Sequence, residues 1–276
     1  MRVPKALFAS TFALYALTLS VGIVTAWRHV LSPDVGALAP LELTWGNALV
    51  FVAVFVVFTM LLLRFRRFAQ ASLAVFLLAA MLVGAQFVFA PWFAPWVSII
   101  VALLFVFVVW LAGRVLTHDL AIAIGIAGIS GLLGLSLTPL IAAVLLALMS
   151  LYDIVSVYRT RHMVALAGTM LSSGAIFGFL VPARPAGFFM RNMDALKRRE
   201  VMLLGSGDIG LPLVLAASVV STSVAAAWMV AAFSLAGVMM MEWLFTHQER
   251  RAPMAALPPI AVMAILGYVV AILLGL

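Results

Sequence analysis

The sequence predicts an all-α polytopic membrane protein with nine transmembrane helices, the N-terminus cytoplasmic and the C-terminus extracytoplasmic. Three observations carry this. Of the 276 residues 67% are hydrophobic and only 9% charged, a balance found in membrane proteins rather than soluble domains. The apolar residues fall in runs close to the roughly 20 residues that cross a bilayer as a helix. Of the 16 Lys and Arg residues, all but Arg28 then lie on one side, as the positive-inside rule requires.

The spans follow in order. Ala6 to Trp27 is the first, too long and too poor in small-residue cleavage signals for a removable leader. A loop with Asp34, Pro40 and Glu42 leads to the second, Trp45 to Leu63, which Arg64, Arg66 and Arg67 stop. Phe68 to Ala90 and Trp92 to Gly113 are the third and fourth, parted at Pro91. Asp119 to Leu137 is the fifth and Thr138 to Tyr158 the sixth, parted near Pro139. Val201 to Val220, Val224 to Thr246 and Leu257 to Leu276 complete the set. Trp27, Trp45, Trp92 and Trp96 gather at the outer interface, as an aromatic belt does.

This divides the chain into a six-helix part (1–158), a cytoplasmic connection (159–200) and a three-helix part (201–276). Within the connection, His162 to Val181 is apolar but rich in Gly and Ser. It reads as an interfacial or re-entrant piece, because counting it as a span would put the basic Arg184 to Arg199 stretch outside. The tail from Arg184 to Glu200 reads as a mobile loop.

The net charge of +7 comes from loop arginines and orients the protein against the lipid bilayer; it is no footprint of nucleic acid. With no cysteine, disulfides, thiolate metal sites and thiol nucleophiles are excluded.

Two acids stand inside apolar runs, Asp153 and Asp208, and an intramembrane acid is by default a functional candidate. At helical rise, Asp153 lies about 9 Å before the boundary at Arg159, and Asp208 about 12 Å beyond the one at Glu200. Ala256-Leu257-Pro258 opens the ninth span at a similar depth, so three features converge on one level. Two carboxyls brought close cannot both ionise comfortably, so such a pair shares one proton. The ionised member can then take a proton from water while the protonated one polarises a carbonyl. No metal or cofactor is needed. Gly205 and Gly207 flank Asp208 and leave room for another backbone, and Pro212 weakens the helix one turn on.

Tyr152-Asp153, Gly205-Ser206-Gly207-Asp208 and Ala256-Leu257-Pro258 resemble the three signatures of the presenilin and signal peptide peptidase family, in order, spacing and span number. The Met-Val after Arg161-His162 is similar to an archaeal member. The resemblance implies a nine-helix intramembrane aspartyl protease in a prokaryotic, archaeal cell membrane, with Asp153 and Asp208 catalytic. Tyr152, Gly205, Gly207, Ala255, Ala256, Leu257 and Pro258 would bind substrate or shape the site. It departs at Ala255, where the family's motif carries a proline. The charge pattern matches the presenilin orientation, implying transmembrane-helix substrates in the type I sense, and nothing implies accessory subunits.

Two other readings compete. A proton- or cation-coupled transporter also uses intramembrane acids, but internal repeats are expected there and none is found. Prepilin-type peptidases share Gly-x-Gly-Asp but lack the other two motifs. Among lesser features, Gly125, Gly128, Gly131 and Gly134 read as close helix packing. Asp119 reads as a helix cap, Glu242 as a snorkelling or capping acid, and Met239 to Met241 as packing or lipid contact.

Overall fold

The computed structural model describes residues 5–32, 66–159, 176–182, 184–197, 201–247 and 254–276. The second predicted span and most of the His162 to Val181 segment lie outside them. Helix α1 covers Lys5–Leu31, α2 Arg66–Phe89, α3 Pro95–Ala112, α4 Val115–Ser136 and α5 Pro139–Ile154. A π-helical turn, Val155–Arg159, continues α5. Strand β1 is Gly178–Pro182, α6 the short Asn192–Lys197, and β2 Val201–Gly205. Then come α7 (Ser206–Ser218), α8 (Val224–Thr246) and α9 (Leu257–Leu273).

The helix boundaries have local causes. Pro95 and Pro139 supply the fixed φ and missing N–H that suit a first helical turn. Thr138 caps α5 by accepting from the Ile141 N–H, and Ser223 caps α8 by accepting from Ala226. Gly113, at φ 57°, ends α3 in the left-handed conformation.

Among the described residues, five helices are long and apolar enough to cross a membrane: Leu7–Leu31, Pro95–Ala112, Val115–Ser136, Pro139–Arg159 and Val224–Thr246. Ala74–Phe89, Ser206–Ser218 and Leu257–Leu273 are shorter apolar helices. On α3, Trp96, Ile100, Leu104, Trp110 and Leu111 are exposed. So broad an apolar face is a liability in water but the proper surface towards lipid. Trp27, Trp92 and Trp96 are all exposed, and the Arg28 guanidinium lies 4.5 Å over the Trp92 ring.

Helix α4 is the hub, packed against α1, α2, α7 and β1. Its glycines make this possible. A β-carbon on Gly128 would run into the Gly84 carbonyl of α2, and one on Gly134 would sit 2.5 Å from the Ala217 Cβ of α7. Backbones this close gain dispersion contacts that lipid alone would not supply.

Three expectations need correction. The seventh segment is not one helix: Val201–Gly205 is a strand, and α7 has only 13 residues. Pairing decides this, since β2 runs antiparallel to β1 with Gly178 opposite Gly205 and Pro182 opposite Val201. Among the described residues the fold is therefore helical apart from one two-stranded ladder. The described end of the His162 to Val181 segment is that ladder's β1, buried at every residue rather than lying at an interface. The basic tail is also no loose loop through residue 197. It holds a 3-10 turn, Pro185–Phe189, and α6. Backbone bonds from Val115 N–H to Met190 and from Asn192 N–H to Gly113 tie it to the start of α4.

Candidate active site

Asp208 is in the first turn of α7, and Asp153 at the end of α5 just before the π turn. The extended residues of β2 advance about 3.3 Å each, so helical rise does not give the depth of Asp208. The two acids nonetheless approach closely enough to interact through their charges. Both are half-buried.

The third motif joins them through its backbone. The Leu257 N–H donates to Asp153 Oδ2 at 3.3 Å. Leu257 opens α9, where helical N–H groups lack internal acceptors and the positive end of the helix dipole favours a carboxylate. Pro258 and Pro259 follow it and have no N–H to offer. That concentrates the free donor of the turn at Leu257. Its side chain and that of Ala255 are buried, while Ala256 and Pro258 are half-buried.

On the other side, the Gly205 backbone faces the Asp208 carboxyl. A β-carbon there would stand 3.1 Å from Oδ2, tighter than an ordinary contact. Gly207 differs: it is exposed, with nothing near its missing β-carbon. It lines an apolar cavity of about 290 Å³ between α2, α4 and α7, with Met81, Ile126, Phe177, Ser206 and Gly210. Tyr152 does not join the group. It is 47% exposed, and its hydroxyl bonds no described residue.

Asp119 is not a cap. It is fully buried, and Oδ1 accepts from the Leu180 N–H of β1 at 2.8 Å. Next to it, His118 Nε2 lies 3.2 Å from the Gly178 carbonyl. These are the backbone groups on the edge of β1 that faces away from β2, so α4 takes the place of a third strand. Asp119 Oδ2 is buried with no partner among the described residues. Glu242 does not snorkel with both oxygens either: Oε1 is buried and unpaired among the described residues. Met239 and Met240 are exposed and Met241 buried. Among the described residues no group of three or more His, Cys, Asp or Glu could hold a metal.

Sequence reasoning missed the His118–Asp119 edge and also Tyr15, whose hydroxyl reaches the Asp208 carbonyl. An acid beside a histidine at a helix start looks the same whether it caps or reaches a strand 61 residues on.

The family model for signal-peptide peptidase, presenilin aspartyl protease matches residues 42–275. The chain belongs to this family. It is an intramembrane-cleaving aspartic endopeptidase and an integral, multi-pass membrane protein. Two solved structures of a presenilin family intramembrane aspartate protease, one in space group C222 and one in P2, are similar to it. The first is 25% identical with TM-score 0.64, over 95% of this chain and 99% of that one. The second is 26% identical with TM-score 0.61, over 94% and 96%. No curated protein matches the chain. Membership disfavours the transporter reading.

Proposed function

We propose that Asp153 and Asp208 are the catalytic dyad of this protease and hydrolyse peptide bonds within or near substrate transmembrane helices. The observation that carries this reading is that Asp153 is held by the Leu257 N–H while lying within charge reach of Asp208. One carboxyl is ionised and the other protonated. The ionised one takes a proton from water as its oxygen adds to the scissile carbonyl, and the protonated one gives its hydrogen to the carbonyl oxygen. The tetrahedral diol then collapses: one hydroxyl gives its proton to the carboxylate that had donated to the carbonyl oxygen, the C–N bond breaks, and the leaving nitrogen takes the proton gained from water, which restores both acids to their starting states.

A substrate helix hides its peptide bonds, because every backbone group in lipid is paired internally. Local unwinding must precede cleavage, and strand addition is the available way to pair what unwinding exposes. With the outer edge of β1 occupied by His118 and Asp119, the outer edge of β2 is the one left among the described residues to receive it. The open backbone at Gly207 and the adjoining cavity then take apolar side chains of the extended piece. Leu257 and its neighbours Ala255, Ala256 and Pro258 wall the opposite side, and a bulky charge in place of Leu257 should abolish cleavage. The distribution of Lys and Arg supports nine spans with the N-terminus cytoplasmic and substrates in the type I sense, and the resemblance of the Met-Val after Arg161-His162 to an archaeal member supports a prokaryotic, archaeal cell membrane.

The test is cleavage of a single-span reporter by the purified protein in liposomes, comparing the parent with Asp153→Asn and Asp208→Asn. Each variant should lose at least about 1,000-fold in turnover, with a chelator harmless and a transition-state aspartyl inhibitor blocking the parent. Appreciable cleavage by either variant refutes the dyad.

A further inference from the structure

Pro212 stands four residues after Asp208, inside α7. In a helix the carbonyl of one residue accepts from the N–H four residues on. Proline has no N–H, and its ring crowds that same carbonyl. The Asp208 carbonyl therefore loses its helical donor at the residue whose carboxyl matters most. Buried backbone carbonyls rarely go unpaired, and here the replacement comes from another helix. The Tyr15 hydroxyl, on α1, donates to the Asp208 carbonyl oxygen at 3.3 Å. Tyr15 Oη also lies 2.7 Å from Ser234 Oγ on α8. A phenol has a single hydrogen and a carbonyl can only accept. By elimination Ser234 donates to Tyr15, and Tyr15 donates to Asp208. Both side chains are completely buried, so water cannot take over either bond.

We propose that Tyr15 is the positioning residue for Asp208: its hydroxyl replaces the hydrogen bond that Pro212 removes, and so fixes the first turn of α7 where it aims the carboxyl at Asp153. Ser234 sets the direction of the tyrosine hydroxyl by filling its acceptor side. The inference rests on the reading of Asp208 as catalytic. Tyr15 acts on the backbone of that residue and touches no reacting atom. If the ring served only to fill space between α1, α7 and α8, phenylalanine would serve as well. If the hydroxyl stands in for a missing N–H, its importance must depend on Pro212.

That dependence is measurable in the full-length protein in liposomes with a single-span reporter peptide. Kinetics are compared for the parent, Tyr15→Phe, Pro212→Ala and the two combined. Alanine returns an N–H to the Asp208 carbonyl. Tyr15→Phe alone should lower kcat about five- to tenfold with KM within about twofold. Added to Pro212→Ala, it should lower kcat by less than about twofold, and Ser234→Ala alone should give a smaller loss in the same direction. Unchanged kcat in Tyr15→Phe, or a loss of the same size in both backgrounds, overturns the proposal. Where a variant folds too poorly for kinetics, thermal unfolding of the four proteins reads the same coupling. Tyr15→Phe must lower the melting temperature more when Pro212 is present, and equal shifts overturn the idea. Asp208→Asn, run alongside, separates the two levels of the argument. If it cleaves, the dyad reading fails and the positioning role with it. If it is inactive and the Tyr15 loss ignores Pro212, only the positioning role fails.

Discussion

Asp208 and Asp153 reach the same place from helices that are built differently. Residues from Pro212 to Ser218 of α7 are all buried, enclosed by α1, α4, α5, α8 and α9. Helix α5 packs on α7 and α9 but leaves Leu140, Val144, Leu148 and Leu151 exposed. Asp208 is braced from two directions besides. Tyr15 holds its carbonyl, and β2 ties it through β1 to Asp119 on α4. Asp153 has one described tie from another helix, the Leu257 N–H; the Ser156 hydroxyl that donates to its carbonyl belongs to its own π turn. One acid is thus mounted on the scaffold, and the other is carried by an outer helix and caught by the start of α9. Such a pair can be assembled accurately from one fixed member. It can also be adjusted by moving the other.

Substitutions along the two helices should bring out this difference most strongly. Leu213→Ala in α7 empties fully buried space and should cost about 2–5 kcal/mol, seen as a large fall in the melting temperature. Leu148→Ala in α5, at an exposed position, should stay within about 0.5 kcal/mol. Comparable costs at both sites would mean that α5 is as firmly built in as α7.

The brace through the ladder is a smaller term. Asp119→Leu removes the acceptor for the Leu180 N–H and should cost about 1–3 kcal/mol, with reduced reporter cleavage. Asp119→Asn keeps an acceptor oxygen and should retain most of both. If the leucine variant matches the parent in melting temperature and cleavage, the edge of β1 does not depend on α4.

The two sides also differed in how far the sequence revealed them. Asp153, Asp208 and Leu257 stood out because acids and prolines in apolar runs are conspicuous, and their spacing from charged boundaries suggested a common level. The ladder did not stand out. Gly178 to Pro182 is buried on both faces, so it lacks the alternation that marks a half-exposed strand, and a short apolar run cannot be told from helix by pattern alone. The bounding Gly178 and Pro182 were the available hint. Pro212 announces that the Asp208 carbonyl lacks a donor, but nothing local identifies Tyr15, 193 residues away. Asp119 is the same case: its partner Leu180 is fixed by tertiary packing, and its place at a helix start is equally that of a cap.

The central claim is that the fixed acid and the carried acid form one site. The chain has no cysteine, which allows a direct measurement. The doubly substituted Asp153→Cys, Asp208→Cys protein is treated in liposomes with a short bifunctional thiol reagent, then cut between the two positions and separated under denaturing conditions. The account predicts that the two fragments stay covalently joined, whereas an Asp153→Cys, Asp119→Cys control yields separate fragments. Free fragments from the Asp153 and Asp208 pair, with both thiols shown to be reactive, would contradict it.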